Sequence, residues 1–528
     1  MVSPVVALAV PPALAPPGPA LSVLASPVPV RPVLAPGTTG AVLAYALGGV
    51  LLGACSGLTP GLHANNFAML LAAVASGLPG SPTAVGAAML AAGVVHTFLD
   101  AIPALALGVP DAAMAASALP GHRLVLDGRG REAIRLSALG SGLAVAVAVP
   151  LAVPVTALVE RHRSVLEAAT PLVLAGTVVV LVATEPSVRA AVGGGVSFLL
   201  AAGLGSATLG LDPSAPLPAG GVLTPLFAGL FGAPVLLDAL GGGGVPAQGD
   251  PAIRLPRWST AATALAGTAA GAFVGYLPGV SAAVAATLAL SAAPTRGPRA
   301  FLVASSGANT AVAVFALFAL AALGTPRTGV TVAIQSVGAG TNLPVLVVVA
   351  AIAATAGTAL VVTVGDPYLR VVGNAPQLPL IAGVLVLLAA LSVLFSGPIG
   401  VGILVVATLV GLLPPRLGCR RVHLMGVLLG PILGRELPSR LLGLLSARLP
   451  GLHVTLPPPL GRSRFPAAGL DVGRVLEQFP THGVGPPVAA PDPAVASVPG
   501  VLAVVDPLVT LVWSRSVALL FGAAQVGH

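Results

Sequence analysis

With 56% hydrophobic residues, 8% charged residues and a mean hydropathy of +1.01, the 528-residue sequence is unusually apolar. Soluble domains carry about 25% charged residues, so the composition excludes a soluble enzyme and indicates an all-α, multi-pass protein of the cell membrane. The net charge of +8 is spread over short loops, which suits contact with membrane lipids and offers no clustered basic face for nucleic acid. Cys55 and Cys419 form no metal-ligand spacing. We therefore expect no metal, no cofactor and no catalytic residues.

Five regions follow one another along the chain. Residues 1–37 predict a disordered Pro/Ala-rich extension, because closely spaced prolines prevent a stable helix. Apolar runs over 38–240 and 259–437 predict two membrane repeats, with about 10–12 transmembrane helices in all, since a span needs about 20 residues. Residues 241–258 begin with consecutive glycines and predict the linker between the repeats. Residues 438–528 predict an irregular Pro-rich tail with a weak apolar segment.

The stretch from Gly53 to Asn66 interrupts the first apolar run with residues that a continuous membrane helix disfavours. Pro60 removes a backbone donor, and the flanking glycines loosen the backbone. The stretch predicts a broken or re-entrant helix, which is tolerated at membrane depth where it lines a cavity and which binds substrate in transporters. The candidate substrate-binding residues are Gly57, Thr59, Pro60, Gly61, His63, Asn65 and Asn66. The alternatives are a tightly packed kinked helix and, for the His and Asn side chains, hydrogen bonds between helices.

The same order of residues returns in the second half of the chain. Gly53, Gly57, Pro60 and Gly61 match Gly271, Gly275, Pro278 and Gly279 at a separation of 218 positions. Leu107–Pro110 match Leu323–Pro326 at 216 positions, and His96-Thr97 match Asn309-Thr310 at 213. Three matches in the same order predict an internal duplication, although Ser281 stands where the first copy has His63. The second-half candidates for substrate binding are Gly275, Pro278, Gly279, Ser281, Asn309, Thr310 and Arg327.

Ionisable residues inside apolar runs suggest further roles. His96 and Asp100 are four residues apart and share a helix face, so they are candidates for coupling to a proton or Na⁺. The alternative is a mutually satisfied pair at a helix end. The Arg327 guanidinium suits a carboxylate, and its alternative is an interfacial arginine whose charged head reaches water.

Several segments together resemble the large permease subunit of tripartite tricarboxylate transporters, above all its archaeal branch. They are GLTPGLHANN, YLPGVSAA, CRRVHLMGVLLGPIL and the run from Leu107 to Leu143. The resemblance covers most of 38–437 and implies a permease for a small organic anion such as a (tri)carboxylate. Bacterial members of that family work with a small membrane subunit and an extracellular binding protein, whereas the archaeal branch resembles a stand-alone permease.

Two other functions remain open at this point. Cys55-Ser56-Gly57 approaches a Gly-x-Ser-Gly nucleophile motif, but Ala54 replaces its first glycine, and the duplicated Pro-Gly motif has no role in an intramembrane enzyme. A non-transporting membrane scaffold is the other alternative. If the halves are inverted, the helix N-termini after both Pro-Gly motifs approach one point and suit an anion. Basic loops on both sides of apparent single spans leave the membrane orientation undecided.

Overall fold

The computed structural model describes residues 36–62, 64–75, 78–108, 118–217, 221–240, 245–277, 282–291, 297–339 and 342–435. All regular structure in these ranges is helical, as the composition predicts. The two predicted tails lie outside the described residues, except for the few that adjoin the helical core. His63, Pro278, Gly279 and Ser281 also lie outside them.

The first part of the chain forms ten α-helices in these ranges. They are α1 (Pro36–Leu58), α2 (Ala64–Ala75), α3 (Pro82–Leu99), α4 (Ala101–Leu107), α5 (Ala118–Leu126), α6 (Gly130–Arg161), α7 (Arg163–Ala183), α8 (Val188–Thr208), α9 (Leu223–Phe227) and α10 (Ala233–Ala239). A π-helical turn (Ala228–Gly232) joins α9 to α10.

The second part continues with seven more α-helices in the described ranges. They are α11 (Arg257–Tyr276), α12 (Ala282–Ser291), α13 (Pro298–Leu323), α14 (Gly329–Ser336), α15 (Leu343–Asn374), α16 (Gln377–Gly411) and α17 (Leu413–Leu417). A 3₁₀ helix (Arg421–Met425) follows and leads into a helix over 426–435.

Eight helical segments of the described chain are long and apolar enough to cross a membrane. They are Thr38–Leu58, Pro82–Leu107, Gly130–Arg161, Arg163–Ala183, Val188–Thr208, Pro298–Leu323, Leu343–Asn374 and Gln377–Leu417. This is fewer than the 10–12 spans expected from the apolar runs, because several of those runs form helices that are short or less apolar and because Gln377–Leu417, which is broken at Gly397, counts as one segment. The higher count, the repeats and the re-entrant helices stay predictions.

Glycines let α1 pack directly on α3. A Cβ atom on Gly49 would overlap the carbonyl oxygen of Ala88, and one on Gly53 would overlap that of Ala92. Each turn of α1 therefore contacts the corresponding turn of α3. A Cβ on Gly57 would lie 2.9 Å from the Leu99 side chain. Such close approach is how small residues stabilise helix pairs in membranes. Because the contacts advance together along both helices, α1 and α3 are parallel.

The pair α11 and α13 packs in the same way. A Cβ on Gly267 would overlap the Ala304 carbonyl, and one on Gly271 would lie 2.8 Å from the Ala308 carbonyl oxygen. The next glycine, Gly275, faces Phe315. These contacts also advance together, so α11 and α13 are parallel to each other.

The two parallel pairs run in opposite directions. Asp100 lies against Asn309, and Thr97 lies against Thr310. Further along, Gly121 of α5 packs between Leu105 and Leu302. Residue numbers therefore fall along α13 as they rise along α3 and α4, and the helices are antiparallel.

A chain of contacts defines one end of the helix bundle, which we call the arginine-rich end. Arg131 at the start of α6 pairs with Asp366 near the end of α15, and Gln377 at the start of α16 donates to the carbonyl of Ala239 at the end of α10. Asp238 pairs with Arg421, and the neighbouring Arg420 pairs with Glu185 in the α7–α8 turn. The linker joins this end because Gln248 accepts from the Gly130 amide and the Arg254 amide donates to Glu132. The end of α6 and the starts of α1, α3 and α7 lie at the opposite end.

The long helix α16 contains a sharp break. Gly397 has a left-handed φ of 62° with ψ of −164°, a conformation that suits glycine. A Cβ on Gly400 would overlap the carbonyl of Ser392, whereas eight residues of straight helix rise about 12 Å. The helix therefore folds into two arms at Gly397.

The glycine contact between α1 and α3 gives the first prediction. Gly53→Leu should lower the thermal stability of the purified protein, because the side chain meets the α3 backbone, and overpacking of this kind costs about 1–3 kcal/mol. Gly48→Leu is the matched control, since no atom lies within 4 Å of a Cβ at that position. Thermal unfolding in detergent measures both. Equal stability of the two variants would contradict the packing.

Candidate functional site

The first Pro-Gly motif ends a helix in the middle of the bundle. α1 ends at Leu58, and the Thr59 amide donates to the Ser56 carbonyl while the Leu62 amide donates to the Thr59 carbonyl. Gly61 has a positive φ of 77°, which an L side chain rarely adopts. Gly61 packs against Leu388 in α16. We call the turn over 59–61 the first tip.

The chain returns from the first tip alongside α1. α2 begins at Ala64, and a Cβ on Gly80, beyond α2, would lie 3.1 Å from the Tyr45 hydroxyl of α1. Gly80 therefore lies beside the first half of α1, far from the tip. The helix that carries Asn65 and Asn66 is α2, although their side chains lie outside the described set.

The second Pro-Gly motif also separates two helices. α11 ends at Tyr276, Leu277 is extended, and α12 begins at Ala282. Tyr276 is buried, and its hydroxyl contacts that of Thr156 in α6. The motif itself falls in the undescribed segment 278–281.

Buried polar side chains meet beside the first tip. Ser56 Oγ lies 2.9 Å from His96 Nδ1, and Asn309 Nδ2 donates to Asp100 Oδ2 at 2.8 Å. His96 is 0% exposed and Asp100 is 4% exposed. We call this group the central polar cluster and define it as Ser56, His96, Thr97, Asp100, Ser141, Asn309 and Thr310.

A chain of hydroxyl groups extends the cluster into α6. Thr97 Oγ1 donates to Thr310 Oγ1 at 3.2 Å, and Thr310 Oγ1 donates to Ser141 Oγ at 2.9 Å. Ser141 in turn donates to the Ser306 carbonyl, and the Ser306 and Ser137 hydroxyls lie 2.8 Å apart. These bonds join helices from both halves of the chain.

The central polar cluster lies near the middle of the bundle. The units Pro82–Leu107 and Pro298–Leu323 each have 26 residues, and the cluster residues on them lie within about 8 Å of the midpoint at about 1.5 Å per residue. Transporters bind substrates and ions at this depth. Oxygen and nitrogen atoms of a carboxylate, an amide, an imidazole and hydroxyls can hold a proton or a small cation there.

Arg327 is separated from the cluster. It follows α13, so at least about 20 Å of helix lies between it and Asn309. Its backbone amide donates to Thr331 Oγ1, and its side-chain Nε is buried without a hydrogen-bond partner among the described residues. Burial lowers the pKa of Arg327, and the nearby charge of Arg163 adds to that effect while Glu167 opposes it. The Arg327 Nε group can therefore donate a hydrogen bond to a ligand, but it lies at the opposite end of the bundle.

The structure brings together four residues that the sequence singled out. His96, Asp100, Asn309 and Thr310 share the central polar cluster, and Gly57 packs on the backbone between His96 and Asp100. The sequence analysis assigned no role to Ser137, Ser141 and Ser306, and it considered Ser56 only as the serine of a nucleophile-like motif. Small hydroxyl residues in apolar helices were the available signal, but such hydroxyls commonly bond to their own helix carbonyls.

A second buried polar group lies at the arginine-rich end. Glu185 Oε1 accepts from Arg420 Nε at 2.7 Å and lies 2.7 Å from His423 Nε2. Burial would raise the pKa of Glu185, but hydrogen bonds from Arg420 and His423 outweigh it and hold the pKa below its ordinary value. Burial lowers the pKa of His423. This group ties the α7–α8 turn to the 3₁₀ helix.

Comparison with known proteins gives one family and one relative. The tripartite tricarboxylate transporter TctA family matches residues 43–426, a region that contains both Pro-Gly motifs and the central polar cluster. An uncharacterized protein of Methanocaldococcus jannaschii is 29% identical over 310 residues, which are 57% of this chain and 74% of the relative. No solved structure matches.

The Glu185 group gives a prediction about acid stability. Both Glu185 and His423 have a lowered pKa in the folded state, so their stabilisation is present above the ordinary pKa values and is lost as the pH falls through the folded ones. Glu185→Gln should destabilise the protein at neutral pH by about 1–3 kcal/mol and flatten the loss of stability in acid. Thermal unfolding across the acid range measures this.

A second Arg–Glu pair supplies the control for Glu185→Gln. Glu167 pairs with Arg163 on α7, but its side chain is 59% exposed, and exposed pairs contribute little. Glu167→Gln should leave the pH profile unchanged. The same profile for both variants would show that the Glu185 group does not stabilise the fold.

Proposed function

Because this chain belongs to the tripartite tricarboxylate transporter TctA family, we propose that it carries a small organic anion, such as a tricarboxylate, through a site between two inverted repeats. The family match confirms the resemblance of the sequence motifs. It makes the chain a multi-pass membrane transporter subunit and places it outside the enzyme families. The observation that carries the finer proposal is the meeting of both halves at the central polar cluster, beside the first tip.

Matched helix lengths support the repeat. The segments Pro82–Leu107 and Pro298–Leu323 have 26 residues each, and both end at a left-handed glycine, Gly108 or Gly324. α6 and α15 have 32 residues each, at a separation of 213 positions. Gly49, Gly53 and Gly57 match Gly267, Gly271 and Gly275 at 218 positions. The two halves therefore share lengths, caps and packing glycines.

The contacts between helices support inversion of the repeats. α3 is antiparallel to its counterpart α13, and α6 is antiparallel to its counterpart α15 because Ile134 faces Gly365 while Gly142 faces Thr358. The partners are also exchanged: α3 packs on α15, and α13 packs on α6. Such an arrangement has a two-fold axis in the membrane plane, as in many transporters.

The helix pairs α1–α2 and α11–α12 fit re-entrant hairpins that enter the bundle from opposite ends. α1 starts at the opposite end and turns at the first tip, from which the chain returns beside Tyr45. α11 starts at the arginine-rich end after the linker and ends at Tyr276. Leu388, which contacts Gly61, matches the fully buried Leu174 of α7 at 214 positions. Leu174 is therefore the expected neighbour of the second tip, the turn that we propose over 277–279.

An anion suits the space between the two tips. The N-termini of α2 and α12 follow the Pro-Gly motifs, and helix N-termini with free amide groups attract anions. The proposed substrate contacts come from the two Pro-Gly motifs, from the start of α2 and from the middle of α13. They are Gly57, Thr59, Pro60, Gly61, His63, Asn65, Asn66, Gly275, Pro278, Gly279, Ser281, Asn309 and Thr310. Arg327, which lies at the opposite end, would meet the anion at an entrance to this space.

Uptake of a tricarboxylate requires a coupling cation. Moving three negative charges into a cell with an interior potential of about −100 mV costs about 7 kcal/mol. His96 and Asp100 are the proposed coupling residues, and a proton or Na⁺ bound at Asp100 would neutralise part of this charge. The buried Asp100 carboxylate and its Asn309 donor support that role. A small membrane subunit and an extracellular binding protein are proposed partners by family.

The coupling role gives a prediction about transport. Asp100→Asn should reduce gradient-driven accumulation of citrate in proteoliposomes by about tenfold or more, equivalent to at least about 1.4 kcal/mol, while exchange of internal for external citrate persists. Neutral asparagine keeps the shape of the side chain but cannot hold a proton or a cation as a carboxylate does. Radiolabelled uptake under a pH or Na⁺ gradient measures accumulation, and counterflow measures exchange.

Glu167→Gln is the control for Asp100→Asn, because it removes an exposed carboxylate far from the cluster. Both activities should match the unmodified protein. Accumulation by Asp100→Asn at the unmodified rate would reject the coupling role alone. Failure of the folded, unmodified protein to bind or exchange any of a panel of di- and tricarboxylates would favour the scaffold alternative.

A further inference from the structure

The arginines of the described chain are unevenly divided between the two ends of the bundle. Four lie at the opposite end: Arg161, Arg163, Arg327 and Arg435, the last because Gly426 and Gly430 face Phe198 and Ala202 in turn, so that its helix runs along α8 towards that end. The other twelve lie at the arginine-rich end: Arg123, Arg129, Arg131, Arg135, Arg189, Arg254, Arg257, Arg299, Arg370, Arg416, Arg420 and Arg421. The division follows from the helix directions established by the contacts, not from the order of loops along the chain.

Half of the arginines at the arginine-rich end are available to bind something else. Arg129 and Arg299 pair with Glu132, Arg131 and Arg135 with Asp366, and Arg420 and Arg421 with other carboxylates. The remaining six are exposed and form no ion pair with any described residue: Arg123, Arg189, Arg254, Arg257, Arg370 and Arg416. Only two exposed carboxylates without an arginine partner, Asp127 and Asp250, accompany them in the described chain.

Apolar surface adjoins these free arginines. Val188 is 81% exposed next to Arg189, and Val192 one turn later is 61% exposed. Trp258, next to Arg257, is 87% exposed. Exposed valines beside an arginine can contact lipid acyl chains while the guanidinium contacts the headgroup. Tryptophan favours the interface between the bilayer and water.

We propose that the arginine-rich end faces the cytoplasm and that its six free arginines bind the anionic headgroups of the inner leaflet. Arginine and lysine are concentrated in the short cytoplasmic loops of membrane proteins, and anionic lipids of that leaflet attract basic side chains. The exposed Val188 and Val192 beside Arg189 favour a lipid phosphate over a soluble phosphate. The proposal is independent of the transported substrate.

The orientation has consequences for the path of the anion. The hairpin of α1 and α2 then enters from outside the cell, and Arg327 also lies outside, where an incoming anion arrives. The hairpin of α11 and α12 enters from the cytoplasm. Loop order hides this orientation because a hairpin that returns to its own side adds a loop without a crossing.

Cysteine labelling tests the orientation in the full chain. Ala247→Cys and Ser164→Cys place exposed thiols at the arginine-rich end and the opposite end, in a background with Cys55→Ser and Cys419→Ser. A membrane-impermeant maleimide should label Ser164→Cys in intact cells and Ala247→Cys only after permeabilisation. The reverse pattern would overturn the proposal. If the cysteine-free background fails to fold, Trp258→Cys and Asp212→Cys are made in the native background instead. Their labelling is then measured as the increase over the labelling of the native cysteines.

Reconstitution tests the lipid contact. The unmodified protein should unfold at a higher temperature in vesicles of phosphatidylcholine with phosphatidylglycerol than in phosphatidylcholine alone, and added inorganic phosphate should not replace the anionic lipid. Arg123→Gln combined with Arg370→Gln and Arg416→Gln should reduce this difference. Arg161→Gln with Arg163→Gln is the matched control at the opposite end and should retain it. Equal loss in both variants, or full replacement by phosphate, would overturn the lipid contact.

Discussion

The direct contact of α1 with α3, and of α11 with α13, is the constraint on which the rest of the structure depends. Lipid tails are as apolar as the helices, so association in a membrane relies on close packing rather than on the hydrophobic effect. Gly57 sets the position of the first tip because its Cα faces the His96 carbonyl and the Asp100 amide. A helix that is broken by Pro60 can end in the middle of the bundle only because these glycines hold its last turns against α3.

Packing between helices of the two halves of the chain links these local glycine contacts to the rest of the bundle. α6 belongs to the first half but packs along α13 of the second, and Ser141, Ser306 and Thr310 join them by hydrogen bonds. Buried hydroxyl groups are costly unless they are paired, so the cluster favours one register of α6 against α13. The same register brings Asn309 to Asp100. Positioning of the ionisable residues thus depends on bonds between residues that have no charge.

The sequence allowed the end of α1 before Pro60 to be predicted better than its surroundings. Pro60 and Gly61 act locally, through a missing donor and a positive φ, so their effect can be read without knowing the fold. Asp100 and Asn309, which are hydrogen-bonded in the structure, stand out in the sequence as polar groups in apolar runs. The contacts of Ser56 with His96 and of Ser141 with Thr310 could not be predicted, because they depend on how neighbouring helices are rotated. The Glu185–His423 contact joins residues 238 positions apart, and neither residue carries a local signal of its partner.

The two Pro-Gly motifs share their sequence but differ in the ionisable residues that accompany them. At 218 positions, which align the packing glycines, Ser56 corresponds to Val274. At 216 positions, which align the helix ends, His96 and Asp100 correspond to Val312 and Ala316, whereas the match at 213 positions pairs them with Asn309 and Ala313. On either alignment the counterpart of Asp100 is an alanine, and the polar contact next to the second motif is that between the Tyr276 and Thr156 hydroxyls. Both motifs can contribute amide groups to one anion although their side chains differ, because every residue other than proline has a backbone amide. A coupling ion needs a carboxylate, and on this argument only the first half supplies one, so the proposed transporter would couple through a single site.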